Sequence, residues 1–237
     1  MKVSPMLYST PMAKGLWEDR KKQTRRVLTP QPAGVDVRFN GISDDNRACF
    51  TICNESGANS TQFVKLKHAT GDVLYVRETW CHIPDSHDGM GDCTYYRALP
   101  PEVYKPPYRK SAPEHWNAQN AQWMKENGFK WKPSIHMPRW ASRMTLLITD
   151  VRVQRLQDIS EEDAKAEGTG ACCLKCTEAA PCGCVYPQPD YKDGFALLWD
   201  SLNEDRGFGW DVNPWVTAYT FDVIKQNVDE YLEELEA

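Results

Sequence analysis

The sequence predicts an α+β fold, and three observations carry that expectation. Apolar strand-like runs recur at Val73–Val76, Met144–Val153 and 215–224. Short stretches between them space their apolar residues as helices do, and Pro- and Gly-rich segments separate the two kinds. At 237 residues the chain is long enough to bury a substantial core. No internal repeat is present.

Taken in order, Thr10-Pro11 reads as an N-cap and first helical residue, and Met12, Ala13, Leu16 and Trp17 form an apolar stripe that ends near Arg20. If the chain then extends, alternation puts Thr24 and Arg26 on one face, with Lys21 turned toward them from the helix end. Thr29-Pro30-Gln31-Pro32 breaks that block. Residues 33–66 carry weaker strand signals: Val35, Val37 and Phe39, then Phe50 and Ile52, then Phe63, Val64 and Leu66. Cys49 and Cys53 have a metal-site spacing, but no second pair is near in sequence, and they read as buried thiols. Gly71-Asp72 turns into Val73–Val76.

Residues 84–133 read as a long insertion. Within it, Asp85, Asp88 and Asp92 lack the ligand alternation of a calcium loop and read as a solvated turn. Tyr95-Tyr96-Arg97 suggests a strand, and Ala118–Asn127 a helix. Basic and aromatic residues interleave from Tyr104 to Trp116, which suits single-stranded nucleic acid and equally suits a loop packed on a domain. Lys132–Trp140 is extended, pinned by Pro133 and Pro138; its lone His136 reads as structural.

Ser160 caps the next helix, whose first turn holds Glu161, Glu162 and Asp163; Gly168 closes it after Glu167. A carboxylate at a helix carboxyl end is disfavoured unless a cation lies opposite, and Lys21 and Arg26 are the candidates. A second insertion, 169–192, holds Cys172, Cys173, Cys176, Cys182 and Cys184. Four thiolates would close a structural zinc site; a reduced loop is the alternative. Phe195, Leu198, Trp199 and Leu202 share a helix face. Residues 225–237 form an amphipathic, acidic helix with Val228, Tyr231, Leu232 and Leu235 on its apolar side.

With 28 basic and 33 acidic residues the net charge is -5, which argues against a protein that coats nucleic acid non-specifically. A local basic pocket for one nucleotide remains compatible. No run of about 18 apolar residues is present and Met1–Pro5 lacks a secretory apolar core, so the expectation is a cytoplasmic protein with no membrane segment. Nine cysteines then read as thiols or metal ligands, not disulfides.

One stretch opposes the overall charge. Lys14, Arg20, Lys21, Lys22, Arg25 and Arg26 stand against Glu18 and Asp19 alone. A threonine hydroxyl becomes a nucleophile when a base takes its proton, and neighbouring cations or desolvation fit a lysine for that task. The same crowd would attract phosphate or steady an oxyanion. A solvated basic turn is the plain alternative.

Arg20, Lys21, Thr24 and Arg26 resemble the Arg-Lys-x-x-Thr-x-Arg part of the ASCH-domain signature, although Asp19 stands where that family has Gly directly before the Arg. Gly71–Arg77 resembles the family's Gly-Asp-x-Leu-x-Val strand, Leu156–Gly168 its Glu-bearing helix, and Asn213-Pro214-Trp215 with Val216–Val223 its closing strand. The blocks keep the family's order and cover under half of the chain. The resemblance implies a PUA-like mixed β-barrel flanked by short helices, spanning 1–224 as one domain with the two insertions. Long phage and prophage ASCH proteins are similar over Val76–Trp80, His136–Arg143 and Leu198–Ser201.

Bacterial amidohydrolases of the superfamily remove acetyl from 4-acetylcytidine with a Lys, a Thr and a Glu. The resemblance therefore implies Lys21, Thr24 and Glu167 as the catalytic trio, Arg26 holding substrate or oxyanion, and no cofactor for catalysis. Arg77, Glu78 and Trp80 are candidates for reading and covering a base; a surface salt bridge and a core tryptophan are the alternative. Arg139, Trp140 and Arg143 are candidates for binding phosphate or base. The expected partner is a nucleoside or nucleic acid. A non-catalytic reader of RNA or a modified base, and more remotely a ribonuclease, are the competing functions.

Overall fold

A computed structural model describes residues 1–83, 93–98, 125–126, 128–173 and 189–237. In chain order its strands are β1 (Val3–Leu7), β2 (Gln23–Val27), β3 (Asp36–Ile42), β4 (Arg47–Cys53), β5 (Asn59–Lys65), β6 (Val73–Arg77), β7 (Trp80–Ile83), β8 (Cys93–Tyr96), β9 (Thr145–Arg155) and β10 (Trp215–Ile224). The α-helices are α1 (Thr10–Trp17), α2 (Glu161–Ala166), α3 (Tyr191–Asn203) and α4 (Val228–Glu236). The class is mixed α+β. Two compact units divide the chain: one comprises 1–2, 18–72 and 147–223, the other 3–17, 73–146 and 224–237.

In the first unit the hydrogen-bonded order is β9-β10-β2, and β3-β4-β5 form a separate antiparallel sheet. β10 pairs antiparallel with β2, setting Tyr219 opposite Thr24 and Thr217 opposite Arg26. Alternation along β4 buries Ala48, Phe50 and Ile52, which join Leu28, Val64, Leu66, Val153 and Trp215 in one cluster. Phe50 meets Trp215 edge-on, ring centroids 5.0 Å apart. Each such buried side chain contributes about 1.5–3 kcal/mol. Cys49 and Cys53 take the opposite parity and are half-exposed, not buried as their sequence reading had them.

A second cluster joins α2, α3 and β10 through Leu156, Ile159, Ala164, Phe195, Trp199 and Val216. Leu202 lies off that face and is exposed. Ser160 caps α2 by accepting from the Asp163 N–H at 3.1 Å. Gly168 ends it with φ +83°, and a Cβ there would stand 2.9 Å from Lys21 Cβ, so only glycine fits both the backbone and the space. The Glu161 carboxylate accepts from the first two N–H groups of α3, tying the amino ends of the two helices together.

In the second unit β1 runs parallel to β6, and Val76 N–H donates to Met144 C=O where β9 begins. β7 and β8 pair antiparallel, and Trp80, Met137 and Ala141 pack with Tyr96. Asn227 caps α4, and its side-chain amide donates to the carbonyls of Arg139, Trp140 and Ser142. The sheets are open; among the described residues they do not close into the barrel that the resemblance implied.

Candidate functional site

The first unit brings Lys21 to Glu167. Lys22 N–H donates to Ala166 C=O at 2.7 Å and Lys22 C=O accepts from Phe221 N–H at 3.0 Å, clamping the entry to β2 between the end of α2 and β10. Lys21 therefore faces the helix terminus, where its amine donates to Glu167 Oε2 at 2.7 Å and to the Glu167 carbonyl at 2.9 Å. Both residues are buried. Desolvation pushes the Lys21 amine below its ordinary range; the Glu167 carboxylate opposes this, while Arg26 and Arg25 add to it. Just upstream, Asp19 adopts φ +59°, the left-handed conformation that glycine takes most readily and that Asp tolerates.

Strand parity then sorts β2 into two faces. Gln23 and Arg25 look toward α2: Arg25 donates to Glu167 Oε1 at 3.0 Å and to Asp163 Oδ2 at 2.8 Å, and Gln23 donates to Asp163 Oδ1 at 2.8 Å. Arg152 also pairs with Asp163. Burial pushes the Asp163 carboxyl up, but the Arg152 and Gln23 hydrogen bonds and the Arg25 charge outweigh it and hold the group below its usual range. Glu167 thus has Lys21, as expected, and Arg25, while Arg26, the other candidate, donates to Thr24 Oγ1. The signal for Arg25 was available: a cation at the same parity as Gln23, on the strand following Lys21.

Thr24 and Arg26 do share the other face, and Arg26 Nη1 donates to Thr24 Oγ1 at 3.0 Å. The Lys21 amine hydrogen-bonds Glu167 twice, while Thr24 takes its hydrogen bond from Arg26. Around Thr24 the structure places residues that the sequence reading missed. Tyr219 is its cross-strand partner, His68 meets the Tyr219 ring edge-on at 5.5 Å, and Asp72 holds Lys2 N–H and Ala69 N–H. Desolvation and the nearby lysines keep His68 below its ordinary pKa, so its ring is neutral near pH 7. Burial carries the Tyr219 phenol to about 12.

The remaining candidates lie in the second unit. Glu78 and Arg143 form a bidentate pair at 2.8 and 3.0 Å, and the guanidinium lies 4.3 Å from both the Trp17 and Tyr96 ring centroids. Burial raises the Glu78 carboxyl although Arg143 opposes it. Burial likewise takes Tyr96, whose hydroxyl donates to Ala141 C=O, to about 12. Trp80 is a core residue with Lys132 over its ring. The Glu78–Arg143 pair is thus buried, where the alternative reading had a surface salt bridge, and Trp80 lies in the core. Arg77 donates to Ile135 C=O, and Arg139 pairs with Asp229 at 2.5 Å. Trp140 is 56 % exposed, edge-on to Trp80 and His82. His136 lies exposed in a 3-10 turn.

Cys172 and Cys173 are buried thiols. Cys176, Cys182 and Cys184 lie outside the described residues, as do Asp85, Asp88, Asp92, the Tyr104–Trp116 stretch and most of the Ala118–Asn127 helix. No group of three or more metal-ligating side chains occurs among the described residues. No described helix is long and apolar enough to cross a membrane. No protein-family model, curated protein or solved structure matches the chain.

Proposed function

We propose that this protein is an amidohydrolase that removes an acyl group from the exocyclic amine of a modified nucleobase or nucleoside, of the 4-acetylcytidine type. The resemblance to ASCH proteins and their PUA-like fold belongs to the same reading. The observation that carries it is the meeting of Lys21 and Glu167, 146 positions apart, at 2.7 Å. A buried amine with a lowered pKa has the property required of a general base.

In the proposed reaction, neutral Lys21 leaves one of its bonds to Glu167 and takes the Thr24 proton. Thr24 Oγ1 attacks the acyl carbon, with Arg26, which contacts that hydroxyl, helping to hold the substrate or the developing oxyanion. The proton passes from Lys21 through Glu167 to the departing amine nitrogen as the C–N bond breaks. Water then hydrolyses the acyl-threonine, with Lys21 as base, releasing the carboxylic acid and restoring Thr24.

Near-complete burial of Lys21 and Thr24, at 2 % and 1 % exposure, favours a second reading in which the cluster holds the fold and the protein reads a modified base without cleaving it. Incubation with 4-acetylcytidine, an oligonucleotide carrying it, and plain RNA, followed by mass spectrometry, separates these readings. Loss of 42 mass units (about one acetyl group for hydrogen) that disappears in Thr24→Ala supports the hydrolase. Binding without product supports the reader, and shortened RNA a nuclease.

A further inference from the structure

The Thr24 face of β2 carries a set of polar groups that the proposed reaction has not used. Tyr219 lies directly opposite Thr24 in the antiparallel ladder, and Arg26, which donates to Thr24 Oγ1 at 3.0 Å, lies opposite Thr217. Directly opposed residues of such a ladder project to the same face with Cβ atoms about 4.5–5.5 Å apart. Thr24, Arg26, Thr217 and Tyr219 therefore share one surface of the β2-β10 pair. His68 closes it, with its ring edge-on to Tyr219 at 5.5 Å.

Arg26 is the exposed member of this group; Thr24, Thr217, Tyr219 and His68 are all buried. A buried phenol needs hydrogen-bond partners. The Thr217 side chain and the His68 backbone both hydrogen-bond the Tyr219 hydroxyl and hold it on this face. Burial keeps the phenol protonated throughout the neutral range, so it donates without releasing its proton.

We propose that Tyr219 is a further catalytic residue, whose hydroxyl donates to the acyl oxygen as Thr24 attacks, with Thr217 and the His68 backbone as its positioning groups. The inference rests on the amidohydrolase reading. As the Thr24 oxygen bonds to the acyl carbon, the carbonyl π pair moves onto oxygen. Tyr219 stabilises that charge by hydrogen bonding alone, alongside the Arg26 cation. Collapse returns the pair, breaks the C–N bond and sends the former Thr24 proton, carried by Lys21 and Glu167, to the amine.

The test compares wild type, Thr24→Ala, Tyr219→Phe and Thr217→Val on 4-acetylcytidine, with thermal melts on each. Tyr219→Phe keeps the ring and removes one donor; kcat should fall about 100-fold with KM little changed, as for loss of an oxyanion donor. Thr217→Val should lower kcat by a smaller factor. Wild-type kcat in Tyr219→Phe, with Thr24→Ala inactive, overturns the role of Tyr219 and leaves the hydrolase intact. A fall in kcat matched by a collapsed melt assigns Tyr219 to structure and also overturns it. Absence of wild-type turnover removes both proposals together.

Discussion

The Lys21 amine donates to both the side chain and the backbone carbonyl of Glu167, at 2.7 and 2.9 Å. One lysine thereby satisfies a helix-end carbonyl and neutralises a carboxylate placed at the unfavourable end of the α2 dipole. Arg25 binds the other carboxylate oxygen, so the two partners of Glu167 are not equivalent when it is lost.

That asymmetry predicts an order of stabilities. Glu167→Ala leaves Lys21 buried without its carboxylate, whereas Lys21→Met leaves Glu167 still bound by Arg25. Breaking a buried pair costs about 3–5 kcal/mol, so Glu167→Ala should approach that figure and Lys21→Met should fall clearly short of it. Urea unfolding midpoints provide the measurement; equal losses would mean that Arg25 does not hold Glu167.

The pH dependence of turnover follows from the depressed Lys21 pKa. A base must be neutral, so kcat/KM should rise with pH as Lys21 loses its proton, with the inflection below the ordinary lysine value of 10.5. Lys21→Arg keeps the charge but cannot deprotonate in this range, and should abolish turnover while still pairing with Glu167. A pH profile that is flat in wild type removes Lys21 as the base.

Gly168→Ala should injure the site from outside it. The backbone there is left-handed, and the new Cβ would sit 2.9 Å from Lys21 Cβ. Strain of this kind costs about 1–3 kcal/mol, and relieving it displaces Lys21. A lower melting temperature together with a fall in kcat is expected; a variant with unchanged activity would show that Lys21 tolerates displacement.

Glu78 supplies a separate prediction, for stability against pH. Its carboxyl pKa is raised in the folded protein, so the folded state holds the proton more tightly than the unfolded chain. Its contribution is greatest below the ordinary value of 4.5 and is lost as pH rises from there through the folded pKa. Glu78→Gln should remove that decline. The difference between wild-type and variant unfolding free energies, measured by urea titration across this range, should therefore move in the variant's favour as pH rises, whatever constant offset the loss of the Arg143 pair adds. The slope of the difference is the diagnostic, and a zero slope would refute the raised pKa.

Several local features were legible in the sequence because each depends on neighbours along the chain. The cap at Ser160, the glycine stop at Gly168 and the long strand before them follow from hydrogen bonding, φ and side-chain alternation over a few residues. Thr24 and Arg26 share a face for the same reason. Cys49 shows the limit: residue type suggested burial, but the parity of β4, fixed by the side on which Phe50 packs, leaves it half-exposed.

The sequence by itself determined the α+β class, most of the elements and the two ends of α2. Tertiary structure decided which charges meet. Glu167 takes Arg25 with Lys21 because strand parity turns Arg25 toward α2 and Arg26 away. Tyr219 reaches the Thr24 face because the β10 register sets it opposite, a pairing between segments almost two hundred residues apart that no local pattern encodes. Hydrogen-bond register is fixed by which faces must leave water together, and that requirement exists once the sheets and helices have packed.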